Sequence, residues 1–382
     1  MIYEYYIYIY QIMTPKVSSK RESNDTLSFT LSETDLGVAN AIRRTILSDI
    51  PCVVFHTFPH SENNCTVMKN TSRFNNEIIK HRLSCVPIHI DDLAIPLENY
   101  LLVVQKKNTS DTIEYITTED FQIKDVKTDK FLSKRDRDNI FPKNTFTGDF
   151  IEFLRLRPKL ASNLDGEELA LTCSFSISTA KQNSSYNQCS KCLYTNTIDA
   201  IKANDAWVAK EKDLKATGMS ASDVAFEKKN WFLLDGQRHY VADSFDFKIK
   251  SIGVFQNTNL IKIACNTLIN TLTHINKSLE PTDPSVIEIK RSNTTIEHGY
   301  DIILHDQDYT IGKVIEYLLY STHFYGDKTL SFCGFIKEHP HDTYSIIRIG
   351  FKNASEGAIV SQYMSDAITT AISYFTTIDE SF

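Results

Sequence analysis

A chain of 382 residues, 42% apolar and 23% charged, is long enough for about two to three domains with buried cores. Only 12 Gly and 10 Pro exclude a fibrous or low-complexity chain, and a net charge of −7 excludes a uniformly basic nucleic-acid binder. The imbalance is local: residues 1–282 hold 34 basic and 34 acidic side chains, residues 283–382 hold 7 and 14, which marks the last hundred residues as a separate unit.

Residues 1–10 alternate aromatic and aliphatic side chains and read either as a short strand or as an extension; they lack the basic start and cleavage site of a signal peptide. No apolar run is long enough for a transmembrane helix. Leu27-Ser28-Phe29-Thr30-Leu31 alternates like a half-buried strand. Glu33, Thr34 and Asp35 then cap a helix with Leu36, Ala39, Ile42, Ile46 and Leu47 at three- and four-residue steps, stopped by Pro51. A strand at 53–55 and a helix from Asn75 to Leu83 follow. From about residue 91 the pattern is irregular. The mixed-charge run 124–138 reads as solvated surface, 169–177 as an alternating strand, and 181–230 as polar, aperiodic and loop-rich.

Regularity returns with a strand at 245–249 and a helix through about residue 276 carrying Ile261, Ala264, Leu268, Leu272 and Ile275. Ser278–Pro284, with two prolines, is the best linker in the chain. Beyond it lie strands at 286–290 and 300–304, then a helix capped by Asp306 and Asp308 with Ile311, Val314, Ile315, Leu318 and Leu319. Strands at 330–336 and 344–351 and a final amphipathic helix from Val360 to Phe375 complete the module. Both ends therefore follow one plan. Glu33-Thr34-Asp35 precedes Ile42 by the interval that separates Asp306-Gln307-Asp308 from Ile315, which sets Val38-Ala39 on Ile311-Gly312. A small residue there admits a close neighbour, and two copies of one unit are expected to pack about a pseudo-twofold axis.

The eight cysteines are read as thiols in a reducing compartment. Cys189-Ser190-Lys191-Cys192 is a lone Cys-x-x-Cys. With Cys173 it supplies three of the four ligands a zinc site needs, and no fourth is evident, so unligated thiols are the preferred reading over zinc. No phosphate-binding glycine loop, nucleophile elbow or zinc-protease motif occurs, nor any basic stripe interleaved with aromatics.

Asp35-Leu36-Gly37-Val38-Ala39-Asn40-Ala41-Ile42-Arg43-Arg44, ending at Ile50-Pro51, resembles the assembly helix of the RNA polymerase alpha-subunit family. Asn76-Glu77-Ile78-Ile79-Lys80-His81-Arg82-Leu83 with Val86-Pro87-Ile88 resembles its second motif, and Ala242–Phe245 through Ser251-Ile252-Gly253 its return strand. Together these look like the third-largest subunit of eukaryotic and archaeal polymerases. Asp308–Ile315, Gly334-Phe335 and His339-Pro340-His341 look like its smaller partner, the eleventh subunit (archaeal subunit L). Fusion of the two in one chain resembles large double-stranded DNA viruses.

The resemblance implies an α+β fold: two alpha-subunit-type dimerisation modules packed as an intrachain pseudo-dimer, the first carrying a mainly β inserted domain. The expected parts are 24–90 with 242–278, the insertion 91–241, the linker 279–284 and the second module 285–382. It implies a non-catalytic assembly subunit of a viral DNA-directed RNA polymerase, a platform for two large catalytic subunits and for small subunits, touching DNA only through the complex, with no cofactor and no membrane. The expected place is intracellular, the viral factory in host cytoplasm or nucleus, with packaging in the virion as an extension. The expected intrachain interface is Leu36, Ala39, Ile42 and Ile46 against Ile311, Ile315, Leu318 and Leu319. Asn40, Arg43 and Arg44 are expected to contact the large subunits, where guanidinium forks suit carboxylates and carbonyls. The cysteine cluster that some third-largest subunits carry early in the insertion is missing from 92–110. The rival reading is a sequence-unspecific nucleic-acid binder built from a repeated α/β unit.

Overall fold

The computed structural model describes residues 14–159, 165–354 and 357–382; the reading of residues 1–10 lies outside them. The chain opens with the hairpin β1 (Lys16–Ser23) and β2 (Thr26–Ser32), where Leu27, Phe29 and Leu31 alternate inward. Helix α1 (Leu36–Ser48) follows, then β3 (Cys52–Val54), β4 (Cys65–Asn70) and α2 (Asn76–Ser84), whose first turn is closed by the Ile78 N–H donating to the Asn75 side chain. Next come β5 (Tyr100–Lys107), β6 (Glu114–Thr117), β7 (Gln122–Asp125), β8 (Lys130–Phe131), α3 (Lys134–Ile140), β9 (Glu152–Leu156), β10 (Glu168–Ser174) and β11 (Ser176–Ser178). Strand β12 (Cys189–Ile198), helices α4 (Ala200–Ala216) and α5 (Ala221–Leu233), β13 (Tyr240–Ser251) and α6 (Asn257–Lys277) lead to the last part: β14 (Ile287–Arg291), β15 (Gly299–His305), α7 (Tyr309–Leu319), β16 (Leu330–Ile336), β17 (Tyr344–Phe351) and α8 (Gly357–Glu380). The fold is α+β.

These elements form two compact units. The first holds the described residues up to Ile46, Lys191–Lys250 and Asn257–Phe382; the second holds Leu47–Ser190 and Ser251–Gln256. The first unit contains two four-stranded sheets, ordered β1-β2-β13-β12 and β14-β15-β17-β16. Chain order through both is the same: hairpin, helix, two strands, long helix. A shift of 273 residues carries Thr26–Ser32 onto Gly299–His305 at both ends. The same shift carries Glu33, at φ 55°, onto Asp306, at φ 55°. A left-handed non-glycine residue is uncommon, so its recurrence at the strand-to-helix turn is a repeat of backbone geometry. Both long helices are amphipathic, and α6 packs along α8 while α7 also packs on α8.

The second unit is built on the sheet β4-β10-β5-β7-β8, with the two-stranded sheets β3-β11 and β6-β9. Its core joins Phe55, Ile79 and Leu83 to Leu102, Phe121, Phe153 and Leu171. Phe121 meets Phe141 and Phe153 edge-on, both at 5.3 Å between ring centres.

The compact units divide the chain elsewhere than at 90 and 242. Residues 47–90 share their core with the insertion. Residues from 191 return to the first unit because β12 extends the sheet beyond β13. The stretch 181–230, read as loop-rich, holds β12, α4 and α5. These helices bury only Ala203 and Trp207, and Val224, so no apolar stripe shows in their sequence. Two tryptophans hold them instead. Trp231 Nε1 donates to the Ala203 carbonyl at 3.2 Å, and its ring lies 6.2 Å from that of Trp207.

Candidate subunit-assembly surface

The surface begins with two acid-capped helices. At α1 the Gly37 N–H donates to the Asp35 carboxylate at 2.6 Å, and at α7 the Thr310 N–H donates to Asp308 Oδ1 at 2.8 Å. Both acids satisfy first-turn donors and oppose the positive helix end. Burial pushes the Asp35 carboxyl above its ordinary value. The N–H groups of Gly37 and Leu36 pull it down, Glu316 of the other repeat pushes it up, and Lys313 pulls it down.

Asp308 has a second partner. Arg44 of α1 reaches it through Nη2 at 2.7 Å and donates through Nε to Thr310 Oγ1 at 2.9 Å. One guanidinium thus grips the capped end of the other repeat's helix, with both ion-pair side chains about one-third exposed (35% and 33%). The shift of 273 residues carries Asp35 to Asp308 and Arg44 to Tyr317. The converse pair is also electrostatically coupled: burial first, and the Asp35 charge second, push the Tyr317 phenol up. The two repeats therefore face each other, with the Arg44–Asp308 ion pair on one side and the Asp35 charge acting on Tyr317 on the other.

Close approach supports this arrangement. A Cβ on Gly37 would lie 3.3 Å from the Lys313 carbonyl oxygen of α7. Gly312, in contrast, makes room within its own repeat: a Cβ there would sit 1.9 Å from the Phe335 ring. At the far end Lys20 Nζ of β1 donates to the Ser381 carbonyl at 2.7 Å, and Phe382 meets Phe29 edge-on at 4.9 Å.

Of the expected interface residues, Ala39, Ile42, Ile46, Ile311, Ile315, Leu318 and Leu319 are all buried in this unit. Leu36 is not: it is 53% exposed. At ~100° per residue it lies about 140° from the centre of the face that buries Val38, Ala39, Ala41, Ile42, Thr45 and Ile46, on the side of Asn40. Asn40 Oδ1 accepts from Arg43 Nε at 3.0 Å and Nη2 at 2.9 Å, so this pair is tied along α1. Arg44, expected to point at another subunit, is engaged inside the chain. Spacing alone missed its link to Asp308, although the cap itself was legible.

The zinc candidates do not assemble. Cys189 and Cys192 lie three apart on β12 and are both buried. Cys173 pairs in register with Cys65 on β4. Among the described residues no three His, Cys, Asp or Glu side chains are placed to hold a metal.

Residues 28–272 match the family described as the RNA polymerase Rpb3/Rpb11 dimerisation domain. Similar proteins include subunit 3 of DNA-directed RNA polymerases II, IV and V from Arabidopsis thaliana, 34% identical over 74 residues, which is 19% of this chain and 21% of that protein. DNA-directed RNA polymerase II subunit rpb3 of Dictyostelium discoideum is 30% identical over 79 residues, 21% of this chain and 24% of that one. Subunit Rpo3 of Thermococcus kodakarensis is 40% identical over 73 residues, 19% and 25% of the two chains. The chain thus aligns with about a fifth to a quarter of the length of these relatives.

Proposed function

Because the chain belongs to the RNA polymerase Rpb3/Rpb11 dimerisation domain family, we propose that it is a non-catalytic assembly subunit of a viral DNA-directed RNA polymerase. In this reading the first repeat acts as the subunit-3-like partner and the second as the subunit-11-like partner, joined covalently. The observation that carries it is the repeated topology within one chain, with α6 on α8 and Arg44 on the capped end of α7. Two separate partners would have to meet by diffusion; one chain presents both at once. The viral assignment rests on that fusion, and carries with it an intracellular site at the place of viral transcription.

The platform offers α1's outer side, Leu36, Asn40 and Arg43, to the large catalytic subunits, which supply metal and chemistry. Arg44 is assigned to holding the two repeats together. The chain itself contributes position and reaches DNA only through the complex.

The test is affinity purification of the tagged chain from cells that make the whole polymerase. Two large polymerase subunits are expected to follow it. Leu36→Asp with Arg43→Glu is expected to lower their recovery at least tenfold while leaving the chain folded. Recovery of no large subunit by the native chain would end the proposal.

A further inference from the structure

The second unit carries a groove that the assembly reading does not use. Its volume is about 480 Å³, within the ~300–1,000 Å³ typical of ligand sites. Four arginines line it, Arg73, Arg82, Arg155 and Arg157, out of six in the whole unit. That concentration is local, because the unit holds 17 basic and 19 acidic residues.

Charge within the groove is only partly balanced. Arg157 is neutralised by the buried Glu167, which also accepts its backbone N–H at 2.7 Å. Arg155 has a distant partner, Glu152, at 3.9 Å. Arg82 donates Nε and Nη2 to the carbonyls of Phe153 and Glu152, at 2.7 and 3.1 Å, so it is fixed in place by neutral carbonyls rather than by a carboxylate. Arg73 is exposed at the rim. The remaining wall is apolar: Phe74, with Arg82 at 5.7 Å over its ring, then Ile113 and Leu154. Phe74 is 37% and Ile113 51% exposed.

We propose that this groove docks an acidic peptide segment of a partner protein, carrying an aromatic or aliphatic side chain beside its carboxylates. Guanidinium forks match carboxylates. The pre-set Arg82 lowers the ordering cost of binding. Phe74 and Ile113 give the apolar side chain a place to leave water. Glu152 at the rim opposes a phosphate backbone but accepts a peptide N–H. A net acidic unit also lacks the long-range field that draws nucleic acid. The proposal stands apart from the assembly reading, since α1 and α7 lie in the other unit.

The test uses the full chain and a fluorescein-labelled twelve-residue peptide of alternating Asp, Phe, Glu and Leu, read by fluorescence anisotropy. Saturable binding is expected, weakened at least tenfold by R73E/R155E. The same peptide with Ser in place of Phe and Leu is expected to bind at least fivefold more weakly. Both replaced arginines are exposed, so the fold should persist; R73Q/R155Q serves if the reversal perturbs it. An oligothymidylate of twelve nucleotides is expected to bind more weakly than the peptide. Peptide binding that is absent at millimolar concentration, indifferent to the arginines, or surpassed by arginine-dependent oligonucleotide binding would overturn the proposal.

Discussion

Gly312 has little freedom to change. Its missing side chain is occupied by the Phe335 ring, which Tyr309 holds edge-on at 5.0 Å. Gly312→Ala must displace that ring, and overpacking of this kind costs ~1–3 kcal/mol. Urea unfolding should show the loss, and Phe335→Leu in the same chain should recover part of it; an unchanged midpoint for the single variant would mean the ring yields freely. Asp301 makes a different residue-scale prediction. It pairs in register with Arg348, which donates Nε to Oδ1 at 2.6 Å and Nη2 to Oδ2 at 2.9 Å. Burial alone would raise the Asp301 carboxyl, but the Arg348 fork, the Ser292 side chain and the Lys290 charge together outweigh it and hold the group below its ordinary 3.8. The folded value is depressed, so the stabilisation is present above 3.8 and is lost as pH falls through the lower native value. D301N should therefore be the less stable protein at pH 7, with the gap closing as pH falls below 3.8. A gap of constant size across that range would show that the carboxylate charge is not the cause.

Elements differ in how openly they announce themselves. Strand β2 and helix α1 were legible because one face of each meets a core, so apolar residues recur at two or at three and four. The same holds for α7, whereas β15 is buried along nearly its whole length and does not alternate; the shared spacing of the acidic caps exposed the repeat. Leu36 misled because a step of three from Ala39 looks like one stripe, whereas the helix turns it to the outer side. The hairpin of α4 and α5 was hidden because two tryptophans bury it at one spot, while Ile201, Val208, Phe226 and Leu233 stay exposed. Its usable signals were the caps: Asp199 accepts from the Lys202 N–H, Ser220 from the Asp223 N–H, and Gly218 takes φ 81° after α4. The arginine groove was illegible for another reason. Its wall is drawn from residues 73–82, 113 and 152–167, and no linear spacing links them. Hairpin α4–α5 also makes a prediction. Its ends meet, with the Asp199 N–H donating to the His239 carbonyl at 2.9 Å, and β12 already neighbours β13. Replacing residues 200–238 by Asn-Gly should give a tight turn of the favoured type and leave the thermal midpoint within about 5 °C. Loss of cooperative unfolding would instead make the hairpin part of the sheet's support.

At the scale of the whole molecule, the linker converts an encounter into a fold. Thr282, Asp283 and Pro284 are exposed between α6 and β14, so a protease site inserted after Thr282 should be cut without disturbing either repeat. While the chain is intact, a short tether supplies an effective concentration of ~mM, far above what most specific pairs require. Cutting removes that advantage and leaves the contacts by themselves, among them α6 on α8, the Arg44 grip on Asp308 and Thr310, Lys20 on Ser381 and Phe382 against Phe29. The cleaved halves should co-elute at ~10 μM and separate on dilution, because the contacts must then offset the entropy of association by themselves. Arg44→Ala should shift that separation to a higher concentration, by about two- to fivefold, as suits an ion pair that is one-third exposed. The exchange R44D/D308R should restore part of it, since it keeps one charge of each sign at the same place. Halves that never co-elute, even at the highest concentration reached, would show that the covalent link alone holds the repeats together.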